Sequence, residues 1–207
     1  MGKLLHLIAS PREDESRTLQ ISEIFINAFK KKHPDWVFDE LNLAKEAIPS
    51  LTMKRADGKY ALLAGKELFG ELRESWEEII QHIERFLSAD IYLISTPMWN
   101  FSIPYTLKQY IDLIVQPKYL FRYTDHGVEG LAKNKKMIVV SSRGGQYESK
   151  ETQPLDFQEP YLRMIFGFIG ITDITFVKAE PMDMGEEIQK QKLELAKSEA
   201  LKLAEKF

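Results

Sequence analysis

Short, nearly continuous apolar runs alternate along this chain with longer segments in which apolar residues recur every three or four positions. Leu4-Leu5-His6-Leu7-Ile8-Ala9, which stops at Ser10-Pro11, suits a strand buried on both faces of a parallel sheet. After a polar stretch, Arg12 to Arg17, the spacing of Leu19, Ile21, Ile24, Phe25, Ala28 and Phe29 predicts a helix. It ends at Lys30-Lys31-Lys32-His33-Pro34, with its cations at the negative end of the helix dipole. Trp36 to Leu43 predicts a second strand, and Ile91 to Ser95, Met137 to Ser142 and Ile174 to Val177 a third, fourth and fifth. The spacing predicts one long amphipathic helix from Leu68 to Leu87, a helix from Tyr105 to Val115 entered through Pro104, another from Phe157 to Ile169, and a last from Glu186 to Phe207. From Ala44 to Lys66 the pattern is interrupted by Pro49, Gly58 and Gly65, which predicts an irregular insert suited to a lid or a substrate-side wall.

Strands that alternate with helices require right-handed crossovers, hence an α/β fold: a five-stranded parallel sheet with helices on both faces. The expected strand order is 2-1-3-4-5, in a single domain over 1–207 with the insert at 44–66 and a connecting segment at 116–135. Ligands of such doubly wound sheets bind at the C-terminal ends of the strands, where the winding reverses, here between the first and third strands. That rule selects three loops: Ser10 to Thr18, Thr96 to Ile103 and Ser142 to Tyr147.

Composition narrows the chemistry. Lys and Arg number 28 against 31 Asp and Glu, a net charge of −3, which provides no global basic field for nucleic acid or anionic lipid. With no cysteine, disulfides, thiol nucleophiles and thiolate metal sites are excluded. The four histidines, His6, His33, His82 and His126, share no loop or i, i+4 pair, so no metal site is expected, and His6 reads as a core histidine. No run of about eighteen uncharged apolar residues occurs, so the expectation is a cytoplasmic protein that does not enter the membrane. No Gly-x-Ser-x-Gly motif occurs, and the carboxylates lie mostly on predicted helix faces, so no protein nucleophile or general base stands out.

The first loop opens onto a helix N-terminus, where Ser10, Ser16 and Thr18 could cradle a phosphate with free backbone N–H groups, or where Ser16 or Thr18 could simply cap the helix. It has no glycine and matches no phosphate-loop signature, and Glu13-Asp14-Glu15 would oppose a phosphate unless they face solvent. The second loop sets Met98, Trp99 and Phe101 around the amide of Asn100, which suits a flat heteroaromatic ligand and equally a loop folded onto the core. In the third, Gly144-Gly145 permits positive φ and close backbone approach to a ligand, or a plain turn.

Thr96-Pro97-Met98-Trp99-Asn100-Phe101-Ser102-Ile103-Pro104 with Leu107-Lys108-Gln109-Tyr110-Ile111-Asp112, then Phe121-Arg122-Tyr123-Thr124, Gly130-Leu131, Ser142-Arg143-Gly144-Gly145, and Pro160-Tyr161-Leu162 with Gly167-Phe168-Ile169-Gly170, resemble the FMN-dependent NAD(P)H azoreductases and quinone reductases of the flavodoxin-like fold. The resemblance spans essentially the whole chain, is most specific from Thr96 to Gly170 and is loosest from Ala44 to Lys66. It implies that Ser10, Ser16, Arg17 and Thr18 hold the FMN phosphate, and that Met98, Trp99, Asn100 and Phe101 with Ser142, Arg143, Gly144 and Gly145 contact the flavin. It further implies that Tyr123 and Phe168 face the substrate side in a site shared by two subunits of a homodimer. Trp99 stands where the family often has Tyr, and the first loop is more acidic than is usual there.

The implied activity is two-electron, ping-pong transfer from NADH or NADPH through FMN to quinones and aromatic azo compounds, with the flavin and no catalytic side chain carrying the chemistry. A one-electron carrier of the same fold, or a flavin-free binding module, are the alternatives. The apolar residues Tyr119, Leu120, Phe121, Tyr123 and Leu131 in the connecting segment are expected to form a patch that a second subunit covers.

Overall fold

The computed structural model describes residues 2–207, so only Met1 of the expected domain lies outside it. The chain runs β1 (Lys3–Ile8), α1 (Arg17–Lys32), β2 (Val37–Asn42), α2 (Met53–Leu63), α3 (Gly70–Ser75), α4 (Glu77–Leu87), β3 (Ile91–Ser95), α5 (Tyr105–Ile114), β4 (Phe121–Thr124), β5 (Gly127–Gly130), β6 (Lys136–Ser142), α6 (Glu159–Phe168), β7 (Asp173–Ala179) and α7 (Glu186–Ala204). Five strands form a parallel sheet in the order β2-β1-β3-β6-β7. The expected order 2-1-3-4-5 is thereby corrected: an antiparallel hairpin, β4-β5, is inserted in the connecting segment and forms its own two-stranded sheet.

Alternation along each strand divides the core in two. Leu5, Leu7, Tyr92, Ile94, Met137, Val139, Ile174 and Phe176 face α4, α5 and α6. Leu4, Ile91, Leu93, Ile138, Val140, Val177 and Ala179 face Ile21, Phe25 and Phe29 of α1 and Ala196, Ala200 and Ala204 of α7. A buried Leu or Phe side chain on either face contributes about 1.5–3 kcal/mol, and the small α7 residues let that helix lie close against α1. Among the described residues no helix is long and apolar enough to cross a membrane.

Two helical expectations change. The irregular insert contains α2, capped by Thr52, whose hydroxyl accepts from Arg55 N. Gly58 reads as a breaker in sequence but sits inside this helix, because the Trp76 indole occupies the place a Cβ would take. The expected single helix from Leu68 to Leu87 breaks at Trp76 into α3 and α4. There the Arg55 guanidinium draws off the Ser75 carbonyl (Nε to O, 2.9 Å), while Trp76 Nε1 donates to Arg55 O at 2.9 Å. Side-chain bonds between residues 20 and 21 positions apart therefore compete with the local ladder and win.

The connecting segment also differs from expectation. Leu120 and Phe121 are buried in the chain's own core, leaving Tyr123 and Val128 as its exposed apolar side chains. At Gly130 a methyl group would overlap the backbone of Ile169 and Gly170, so glycine lets the hairpin base press against the turn that follows α6.

His6 is buried in β1, as expected, with Nε2 at 2.8 Å from Ser95 Oγ, which in turn lies 2.6 Å from Ser22 Oγ. Burial, reinforced by the Lys30 ammonium, pushes its pKa down to about 3. The Glu40 carboxylate, 4.0 Å from Nδ1 and largely in solvent, does not offset this. The folded protein keeps His6 neutral while the unfolded chain binds a proton below the ordinary value of 6.5, so the stability tied to His6 is complete above pH 6.5 and is lost as pH falls towards 3. His6→Gln should therefore remove about 3 kcal/mol of the stability loss between pH 6.5 and 4, read from denaturant unfolding at each pH. An acid limb of unchanged slope would show that the buried imidazole is not its source.

Candidate functional site

The C-terminal ends of β1, β3, β6 and β7 share one edge of the sheet, and backbone bonds carry the pairing on into their loops. Ala9 N donates to Ser95 O, Thr96 N to Val140 O, Met98 N to Ser142 O and Arg143 N to Ala179 O, each at 2.9–3.0 Å. The three loops singled out in the sequence thus emerge side by side, with the segment after β7 as a fourth wall. A cavity of about 210 Å³ lies among them, lined by Ser10, Arg12, Glu15, Ser16, Arg17, Pro97, Met98, Trp99, Ser142, Arg143, Gly144 and Asp183.

In the first loop a 3₁₀ turn, Glu13–Glu15, leads into Ser16, the N-cap of α1. Ser16 Oγ accepts from Leu19 N at 3.4 Å and lies 2.9 Å from Thr18 Oγ1. Ser16 reaches the cavity wall, whereas Thr18 is fully buried behind it, so Thr18 orients Ser16. The N–H groups of Arg17 and Thr18 open the helix and have no partner inside it. The acidic stretch is neutralised locally: Glu13 pairs with Lys45 at 3.0 Å and Glu15 with Arg12 at 2.9 Å, while Asp14 is exposed. Arg17 pairs with Asp183 across the cavity mouth at 3.3 Å.

The second loop is a tight two-residue turn. Trp99 and Ser102 exchange both backbone hydrogen bonds at 2.9 Å, which puts Asn100 and Phe101 in the left-handed region at φ 47° and 68°. Asn tolerates this conformation; for Phe it costs on the order of 1–2 kcal/mol. The turn holds the Trp99 and Phe101 side chains in the open, both exposed, and Tyr147 meets Phe101 edge-on at 6.5 Å. The loop does not fold back onto the core. Trp99 also borders two further cavities, about 360 Å³ towards Pro11, Leu43 and Ile48, and about 710 Å³ towards Leu51, Tyr105 and Tyr161. The insert at 44–66 thus forms a wall at the site, held by Gln109 Nε2 donating to Ile48 O at 2.9 Å.

In the third loop neither Gly144 nor Gly145 uses the positive φ that glycine permits. At Gly144 a Cβ would meet the end of the exposed Asp183 side chain, so a larger residue would turn that carboxylate aside, and Asp183 N donates to Gly144 O at 3.1 Å. Arg143 meets the cavity, yet its guanidinium is only 1% exposed and is turned into an ion-pair cluster. Nη1 lies 2.9 Å from Asp156 and 3.5 Å from Glu180, Nη2 lies 3.8 Å from Glu159, and Nε donates to Gln158 Oε1 at 3.0 Å. Burial pushes the Glu180 carboxyl above its ordinary value even with Arg143 and Lys178 beside it. The Arg143 side chain consequently supports the cleft from behind.

Ser10, Ser16, Arg17, Met98, Trp99, Ser142, Arg143 and Gly144 are brought together on one cavity, with Asn100 on its larger neighbour and Phe101 and Gly145 beside it. Tyr123 and Phe168 are not brought there. Phe168 ends α6 just ahead of the start of β7 and packs on Phe121 at 4.7 Å, and Tyr123 packs on the same ring at 5.8 Å. Both lie towards the N-terminal edge of the sheet, opposite the cleft. Asp183 and Gln158 were missed from sequence. Asp183 follows the last strand of an open sheet, where the same strand-end rule would have found it; Gln158 looks like an ordinary first-turn residue, and nothing local marks it.

The model of the flavodoxin-like fold family matches residues 2–204. The chain is 37% identical over 209 residues to the FMN-dependent NADH:quinone oxidoreductase of Coprothermobacter proteolyticus, covering 100% of both. An azoreductase from Bacillus anthracis str. Sterne superposes with a TM-score of 0.90 at 28% identity, covering 100% of each chain. An FMN-dependent NADH-azoreductase from Bacillus anthracis str. Ames Ancestor, solved in complex with FMN, superposes with a TM-score of 0.85 at 27% identity over 99% of this chain and 100% of that one. With the loops converging at the strand ends and the family match running almost end to end, the chain belongs to the flavodoxin-like fold family.

Proposed function

We propose that this chain is an FMN-dependent oxidoreductase that takes two electrons from NADH and delivers them to quinones and aromatic azo compounds, as a cytoplasmic, single-domain protein acting as a homodimer. The observation that carries the reading is the meeting of three loops at the winding reversal, polar at the α1 end and aromatic at Trp99. The full-length relatives, named as FMN-dependent NADH:quinone oxidoreductases and azoreductases, support the same activity.

The donor set fits FMN. Ser10 and Ser16, the N–H groups of Arg17 and Thr18 and the Arg17 guanidinium suit a phosphomonoester at a helix N-terminus, and the acidic first loop is already paired or turned to solvent. Trp99 and its neighbours suit the ring system, with Asn100 and the Met98–Phe101 and Ser142–Gly145 backbones available to its polar rim. FMN supplies reversible two-electron hydride chemistry when bound. The protein orients it, excludes water with Met98, Trp99 and Phe101, and offers backbone N–H groups near Gly144 and Gly145 to negative charge on the ring. One cleft serves donor and acceptor in turn, so the two exclude each other and the kinetics are ping-pong.

The shared-site part of the reading rests on geometry. Tyr123 is 66% exposed on a hairpin that cannot reach the cleft of its own chain, while Leu51, Tyr105 and Phe157 stand exposed around the cleft. A second copy that lays its hairpin over this rim would cover both sets.

The purified protein should be yellow, should release FMN and not FAD on acid treatment, and should oxidise NADH with a quinone alone as acceptor; a colourless protein that takes up no added FMN overturns the reading. Replacing Ser16 and Thr18 together by Ala should weaken FMN binding by about 1–3 kcal/mol and leave riboflavin binding unchanged in fluorescence titrations. If only thermal stability falls, the two hydroxyls serve the helix and not a phosphate. Tyr123→Ala or Phe168→Ala should raise acceptor KM while FMN affinity holds. Light scattering that finds a 24.0 kDa monomer with full turnover would exclude the composite site.

A further inference from the structure

We infer that Gln158, held by Arg143, is a positioning residue that fixes the aromatic loop after β3 against the loops after β6 and β7; its consequence for flavin binding rests on the functional reading above. Gln158 is fully buried at the start of α6, and both ends of its amide are used. Oε1 accepts from Ser141 Oγ at 2.6 Å and from Arg143 Nε at 3.0 Å. Nε2 donates to Pro97 O at 3.0 Å and Thr96 O at 3.3 Å. One side chain thus joins the end of β6 to the two carbonyls from which the Trp99 turn departs.

Orientation of the amide is set by its neighbours. Arg143 Nε can only donate, to Gln158 Oε1 and at 3.3 Å to Ser141 Oγ, so the amide oxygen must face it, the Ser141 hydroxyl gives its own proton to that oxygen, and the NH2 group is left to face the two carbonyls. Arg143 is itself fixed by Asp156, whose other oxygen accepts from Gln158 N and Glu159 N at 2.9 and 3.0 Å and so caps α6. The guanidinium, the cap and the amide form one connected unit. Glu would keep the acceptor side and set an oxygen against Thr96 O and Pro97 O; Met would fill the space and leave both carbonyls unpaired. No other side chain of this size offers two acceptances on one side and two donations on the other.

The brace fixes the ring-side loop and does not touch Ser10, Ser16 or Arg17. Its loss should therefore weaken FMN and riboflavin alike, unlike removal of the hydroxyls at the α1 end. Gln158→Met and Gln158→Glu, each saturated with FMN so that occupancy is equal, should exchange the amide hydrogens of Met98, Trp99 and Ser102 about tenfold faster than the wild-type protein, with Leu5, Leu93 and Val139 of the sheet unchanged. The dissociation constants of FMN and riboflavin should rise together by about tenfold, read by flavin fluorescence. Gln158→Glu preserves the contact with Arg143 and covers the case in which the Met variant does not fold. Unchanged exchange at Met98, Trp99 and Ser102 in a folded variant overturns the brace, as does a loss confined to FMN. A wild-type protein that binds no flavin overturns the functional reading instead, and the exchange measurement, then made on the flavin-free proteins, still decides the brace.

Discussion

Both faces of the central sheet are covered by helices, and that burial governs where chemistry can occur. Interior strand positions are consumed by packing: Leu5, Leu7, Ile94 and Val139 on one face, Leu4, Leu93 and Val140 on the other. Polar function is displaced to the ends of the strands, where backbone groups leave the ladder and loops begin. Because β1 is flanked by β2 on one side and β3 on the other, the chain winds away from it in both directions and leaves a crevice above it. Ser10, Met98 and Gly144 meet there because of topology, although they are far apart in sequence.

A crevice built from loops needs something to hold the loops still. Here a desolvated guanidinium does so, and such a group is costly to bury unless its hydrogen bonds are answered. Arg143 hydrogen-bonds Asp156, Glu180 and Gln158 through Nη1 and Nε, while its buried Nη2 makes no hydrogen bond and has only the Glu159 carboxylate at 3.8 Å; these groups come from the segment before α6, from α6 and from the end of β7. An apolar cluster of equal volume could match its stability. It could not fix the directions of so many separate segments, since hydrogen bonds specify angle and partner where packing specifies volume.

The turn Trp99-Asn100-Phe101-Ser102 shows the same trade on a smaller scale. Two successive left-handed residues, one of them a phenylalanine, are retained although glycine would relieve the strain. The conformation is held by paired backbone bonds and by Phe157 N donating to Phe101 O at 3.0 Å, and it keeps two aromatic rings exposed above the crevice.

Strands and helices here follow from local pattern. The apolar runs at Leu4 to Ile8 and Ile91 to Ser95 and the spacing in α1, α5 and α7 state their own element types, since periods of 2 and 3.6 depend only on neighbouring residues. Alternation of strand and helix then implies the parallel sheet and the edge at which the loops converge, so the meeting of Ser10, Ser16, Trp99 and Gly144 around one crevice was legible. Other features depend on partners distant in sequence. Gly58 lies within a helix because Trp76 fills its side, and the helix from Leu68 breaks because Arg55 takes the Ser75 carbonyl. The hairpin β4-β5 lacked a strand pattern because it leans on α6 and stays largely in solvent. Arg143 faces inward, Gln158 becomes a bridge and Phe168 falls at the far edge of the sheet for the same reason. The sequence by itself determined what each segment is; the tertiary structure alone decided what each polar side chain faces, because a hydrogen bond or an ion pair is made by whichever group the fold brings within reach.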